Sequence, residues 1–142
     1  MKTFRILIIE DNSSYRKLLR ETLQKSFPMF TLDEATGERI ATLRKIETFL
    51  PALIFMDIRL RKENGLELTR KIKAIHPNIV VFIITAYGTP EYEKAAFESG
   101  ADSFLPKDSF SAMELQELIE LGSVLSEKLR NQPNVSLPFI LG

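Results

Sequence analysis

Five side chains set the chemistry open to this chain: the adjacent acids Glu10 and Asp11, then Asp57, Thr85 and Lys107. Carboxylates held within a few ångströms of one another repel, and each raises the other's pKa unless a cation neutralises them. An all-oxygen set with few protein ligands suits Mg²⁺, which keeps several waters and leaves room for a phosphoryl oxygen. A carboxylate in such a place can act as nucleophile towards phosphorus and form an aspartyl phosphate. Phosphoryl transfer asks the protein mainly to position groups and balance charge. Lys107 would supply a mobile point charge for phosphate, and the Thr85 hydroxyl can donate to a phosphoryl oxygen.

That chemistry requires the five residues to converge, and the pattern of the chain brings them together. Phe4 to Ile9 is a continuous apolar run ending in the acid pair, as expected of a strand buried on both faces of a parallel sheet. From Tyr15 the period changes: Tyr15, Leu18, Leu19, Thr22 and Leu23 share a helical face, with Ser13 or Ser14 as the expected cap. Phe30 to Ala35 predicts a weaker second strand interrupted by Asp33 and Glu34. Ile40, Leu43, Ile46 and Leu50 predict a second helix that stops before Pro51. Leu53 to Met56 predicts a third strand closed by Asp57. A helix after Gly65 would carry Leu68, Ile72 and Ile75 inward and end at His76-Pro77. Ile79 to Ile84 reads as a fourth strand followed by Thr85, and Glu91 to Glu98 as a short helix with Gly100 as its C-cap. Ser103 to Leu105 is a brief fifth strand before Lys107. The last helix begins near Ser111, with Leu115, Leu118, Ile119, Leu125 and Leu129 inward.

Five β–α units in alternation predict an α/β fold: a flavodoxin-like, doubly wound (βα)5 arrangement with a five-stranded parallel sheet of order 2-1-3-4-5. In such sheets ligands bind beyond the carboxyl ends of the strands, where the order reverses between strands 1 and 3. Glu10, Asp11 and Asp57 end those two strands, Thr85 ends strand 4, and Lys107 follows strand 5. Lys71, Lys73 and His76 are expected on solvated surface.

Composition narrows the function classes. The 142 residues fit one domain. We expect it to occupy residues 1–130, with 131–142 a tail or the start of a linker. Nineteen basic residues balance nineteen acidic ones, so direct nucleic-acid binding through overall charge is not expected. No cysteine is present, which excludes disulfides and thiolate chemistry. No apolar run is long enough to span a bilayer and no signal peptide is visible, so the expected location is the cytoplasm, without membrane contact.

In this order and spacing, several short motifs resemble the receiver domains of bacterial response regulators. They are Glu10-Asp11, Phe55-Met56-Asp57-Ile58-Arg59-Leu60 with Gly65, Thr85-Ala86, and Gly100-Ala101-Asp102-Ser103-Phe104-Leu105-Pro106-Lys107. The likeness covers about Phe4 to Leu125. It implies Asp57 as phosphoacceptor, and Glu10, Asp11, Asp57 and the Arg59 backbone carbonyl as Mg²⁺ ligands. It also implies Lys107 and Thr85 as phosphate contacts, with Thr85 and Phe104 as the switch pair that carries the signal away. The implied donor is a sensor histidine kinase or phosphotransfer protein, and the implied output face comprises the fourth helix, fifth strand and fifth helix, a possible homodimer surface. Such a domain is not an enzyme in its own right, though it assists its own phosphorylation and dephosphorylation.

Two positions depart from the pattern. Arg61 stands where receivers commonly have proline. Asp108 rather than proline follows Lys107, which leaves the cis or trans state of that bond open.

Other readings of the same fold are weaker. A flavodoxin-like electron carrier needs a phosphate-cradling loop where this chain has Glu10-Asp11-Asn12. A haloacid-dehalogenase-type phosphatase needs a carboxylate two residues past the nucleophile, where Arg59 stands. A non-phosphorylated scaffold would have no use for all five site residues. A nucleotide-binding role lacks a glycine-rich fingerprint.

Overall fold

The computed structural model describes residues 4–108 and 111–131. Its elements alternate strictly: β1 (Arg5–Ile9), α1 (Ser13–Ser26), β2 (Thr31–Ala35), α2 (Arg39–Phe49), β3 (Leu53–Asp57), α3 (Gly65–Ile75), β4 (Val80–Thr85), α4 (Pro90–Glu98), β5 (Ser103–Pro106) and α5 (Ala112–Asn131). The strands form one sheet in the order β2-β1-β3-β4-β5, with every pairing parallel. This is the flavodoxin-like fold expected from the sequence.

Alternation along the strands divides two cores. Ile6, Ile8, Phe55 and Phe82 face α1 and α5, where Leu19, Leu23, Leu115, Ile119, Leu125 and Leu129 meet them. Leu7, Ile9, Ile54, Met56, Val81 and Ile83 face α2, α3 and α4, with Ile46, Leu68, Ile72 and Ala96. The inner strands β3 and β4 are buried along their whole length, hence their uninterrupted apolar sequence. β2 lies at the edge and tolerates acids: Asp33 pairs with Lys45 at 3.3 Å and Glu34 with Arg20 at 2.7 Å.

Several local expectations need correction. α1 is capped by Asn12, whose side chain accepts from the Tyr15 N–H at 2.9 Å, so Ser13 and Ser14 already lie inside the helix. Ile40, Leu50 and Ile75 are exposed rather than inward. On α2 the buried stripe passes through Thr42 and Ile46, while Leu50 has left the helix in a left-handed conformation (φ 51°) just before Pro51. On α3 the stripe runs Gly65, Leu68, Thr69 and Ile72, and Ile75 lies in the final turn, beyond the sheet's cover. Leu18 also faces out.

Lys73 and His76 are not simply solvated. Lys73 Nζ donates to the Ile79 carbonyl (2.8 Å) and to Asp102 (3.0 Å), tying α3 to the start of β4 and to the turn after α4. His76 Nε2 lies 2.7 Å from Glu47. Gly100, at φ 102°, ends α4 in the left-handed region, as its type predicts. Among the described residues no helix is long and apolar enough to cross a membrane. Of the segment expected to be a tail, only Asn131 is described; it ends α5, and the rest lies outside the described residues.

Candidate functional site at the carboxyl edge of the sheet

β1 and β3 are adjacent and parallel, with Ile9 opposite Met56, so the residues that follow them emerge side by side. Glu10, Asp11 and Asp57 accordingly each offer a carboxylate oxygen within 4.8 Å of the others. Glu10 and Asp57 are buried and Asp11 is half-buried. The cluster is oriented by its surroundings. The Asn12 backbone N–H donates to Glu10 Oε2 at 3.1 Å, and Arg16 holds the Glu10 carbonyl at 2.7 Å. The same Asn12 that caps α1 therefore aims a carboxylate through its backbone.

Lys107 enters from the other side. Its Nζ lies 2.6 Å from Glu10 Oε1 and 3.6 Å from Asp57 Oδ2, with little solvent access. Its backbone N–H donates to the Thr85 carbonyl at 2.7 Å, which extends the β4–β5 pairing and fixes where the side chain starts. The Lys107–Asp108 peptide is trans. Thr85 is fully buried; its hydroxyl accepts from the Tyr87 N–H at 3.0 Å, which leaves its own proton to donate.

The Asp57 carboxyl is pushed up to about 7, first by burial and then by its contact with Glu10 and that group's charge. Lys107 and a hydrogen bond from the Arg59 backbone pull it the other way without compensating. A carboxylate so destabilised next to two others has the donor chemistry of a divalent-cation site: hard oxygens, excess negative charge and few ligands. The residues present fit Mg²⁺.

After Asp57 the chain turns sharply. An Arg59–Asn64 bridge closes the loop, Gly65 N–H donates to the Ile58 carbonyl at 2.7 Å, and a Cβ on Gly65 would collide with the Asp57 carbonyl. Glycine is required there because α3 starts against the backbone of Asp57 and Ile58.

Three aromatic residues border the site, and the sequence motifs carry no sign of their arrangement. The Arg59 guanidinium lies over the Tyr87 ring, 4.2 Å from its centroid, and reaches the Tyr92 hydroxyl at 3.5 Å. Tyr15 places its ring under Lys107. Its place at the start of the apolar face of α1 was legible in the sequence, but its contact with Lys107 was not. Phe104 is buried in the core between the sheet and α2, α3 and α4, in an inward position.

The model of the response regulator receiver domain matches residues 6–120. The chain belongs to the response regulator receiver family. Its receiver is 38% identical over 103 residues to a cyclic di-GMP phosphodiesterase of Thermotoga maritima, covering 72% of this chain and 26% of that protein. It is 30% identical over 102 residues to the chemotaxis protein CheY of Halobacterium salinarum, covering 72% of this chain and 82% of that one. The chain spans less than half the length of several other response regulators that it matches. A solved CheY-like receiver from Methanospirillum hungatei superimposes with a TM-score of 0.78 at 26% identity, covering 89% of this chain and 98% of that one. The receiver is thus a two-component signalling domain, of a family in which phosphorylation and magnesium are general features.

Proposed function

We propose that this receiver accepts a phosphoryl group on Asp57 from a phosphohistidine of a sensor kinase or phosphotransfer protein. The observation that carries the reading is a buried Asp57 with Lys107 Nζ at 3.6 Å, inside a group of three carboxylates within 4.8 Å. An Asp57 oxygen attacks phosphorus as the bond from phosphorus to the donor's imidazole nitrogen breaks, and the departing imidazole takes up a proton. Lys107 balances charge on the transferring oxygens, and the Thr85 hydroxyl donates to one of them. Glu10, Asp11, Asp57 and the Arg59 carbonyl are the groups that would hold Mg²⁺. When bound, that ion supplies the charge neutralisation that lets Asp57 react ionised.

Residues 1–130 form the signalling unit in this reading, and the readout passes through Thr85 and Phe104 to the face formed by α4, β5 and α5. No carboxylate stands two residues past Asp57, so nothing favours a phosphatase. Incubation with Mg²⁺ and phosphoramidate, followed by intact mass, tests the assignment. One hydroxylamine-labile phosphoryl group should appear on the wild type and none on Asp57→Asn. A gain that persists in the mutant, or that needs no Mg²⁺, overturns it.

A further inference from the structure

Lys107 is a long, flexible side chain whose ammonium must stay beside Asp57 to serve the transferring phosphate. Its shortest contact is to another residue, Glu10, at 2.6 Å against 3.6 Å to Asp57. Glu10 is also one of the cluster acids. If its oxygens are committed to a cation, the strongest tie on the lysine is weakened at the moment the lysine is needed. A second tie exists that makes no such conflict. Lys107 Nζ stands 4.3 Å from the centroid of the Tyr15 ring, well inside the range over which an aromatic face attracts a cation.

Resting on the reading of Lys107 given above, we propose that Tyr15 is a positioning residue for it. The ring face holds the ammonium at the phosphoryl site without adding a fourth negative charge. Three observations support this. Tyr15 lies in the first turn of α1, anchored by the Asn12 cap through its own N–H at 2.9 Å, so the ring is placed by the same turn that aims Glu10. It is packed against the apolar core under α1, in the hollow it shares with Leu19, Leu115 and Lys107. Burial and the charges of Glu10, Asp57 and Asp108 push its phenol up to about 12, so the ring stays neutral.

The comparison that tests this is Tyr15→Phe, which keeps the ring face, against Tyr15→Leu, which keeps bulk without it. Two readouts are taken: the shift of the Lys107 ε-methylene resonances, and the affinity for beryllofluoride with Mg²⁺ as the phosphoryl mimic. In wild type and Tyr15→Phe the ring current should move the methylene upfield, and the two should bind the mimic equally. In Tyr15→Leu the upfield shift should vanish and mimic affinity fall at least about threefold, with Mg²⁺ affinity unchanged. Equal behaviour of Leu and wild type, or an equal loss in Phe and Leu, overturns the proposal. If Tyr15→Leu does not fold, Tyr15→Met is read in the same way. If wild type itself does not bind the mimic, the phosphoacceptor reading fails, and the methylene shift alone decides the Tyr15–Lys107 tie.

Discussion

Asp57 sits in a place that opposes its own ionisation. In the unfolded chain its carboxyl titrates near the ordinary value of 3.8; in the folded, metal-free protein it titrates at about 7. The sign follows from linkage. The folded state holds the proton more tightly, so the neutral acid stabilises it; that contribution is full below the unfolded value and is lost as pH rises through the folded one. Metal-free wild type should therefore lose stability relative to Asp57→Asn between pH about 4 and about 7, and Mg²⁺ should restore it above that window. Thermal melts across pH in chelator, then with Mg²⁺, measure this; parallel wild-type and mutant profiles would disprove it. The neighbours of Asp57 point to a second outcome. Hydrolysis of the proposed aspartyl phosphate would need water in line with the bond from Asp57 to phosphorus. The stacked Arg59 and Tyr87 side chains sit two residues past Asp57 and two past Thr85, and neither offers a carboxamide to orient that water. Replacing both, as Arg59→Asn with Tyr87→Ala, should speed loss of labelled phosphate at least about tenfold, equivalent to ~1.4 kcal/mol of barrier. Equal or slower loss would show that the pair does not guard the approach.

At the scale of elements, the loop between β3 and α3 links packing to chemistry. Gly65 has no room for a side chain: a methyl group would meet the Asp57 carbonyl and lie 2.8 Å from the Ile58 Cα. Backbone atoms cannot turn aside as a side chain can, so Gly65→Ala should push α3 off β3. The expected cost is about 1–3 kcal/mol in chemical denaturation, with weaker Mg²⁺ binding because the Asp57 to Arg59 backbone moves. A variant as stable as wild type and binding Mg²⁺ equally would mean the loop yields freely. This position was visible in the sequence only as a glycine at a motif spacing; its physical reason is the close approach of the Asp57 and Ile58 backbone. The same division runs through the fold. Strands such as Val80–Thr85 were legible because burial on both faces leaves a continuous apolar run, and strict alternation with right-handed crossovers and one reversal predicted the sheet order. Helix faces were less so. Ile40, Leu50 and Ile75 match an apolar period, yet they lie at helix ends, where the neighbouring layer no longer covers them. The carboxylates, Thr85 and Lys107 were legible because each lies at or just past the carboxyl end of a strand. Tyr15 and Tyr92 act through ring contacts, which have no residue-type signature.

For the whole molecule, the proposed phosphorylation requires that a charge added at one edge of the sheet be felt at a distant face. Thr85 and Phe104 lie on adjacent strands, with Ile83 opposite Phe104 and Thr85 opposite Pro106, so a movement at the end of β4 is felt directly in β5. Thr85 is held by the Tyr87 N–H, and Tyr87 belongs to the aromatic group over Arg59. A Thr85 hydroxyl drawn towards a phosphoryl oxygen would loosen that bond and disturb Tyr87, Tyr92 and the start of α4. On the proposed reading Phe104, already inward here, would be fixed in that position on activation rather than carried into it. A ligand shifts such an equilibrium only by its differential affinity for the two states. Beryllofluoride with Mg²⁺ should therefore slow hydrogen exchange along residues 85–105, beyond what Mg²⁺ alone produces. Thr85→Ala should bind the mimic yet lose the protection around Phe104 while keeping it around Asp57. Protection confined to Asp57 and the loop up to Gly65 in wild type would mean that the signal stops at the site. Equal spread in Thr85→Ala would mean that it leaves by another path, through Lys107 and the turn after β5.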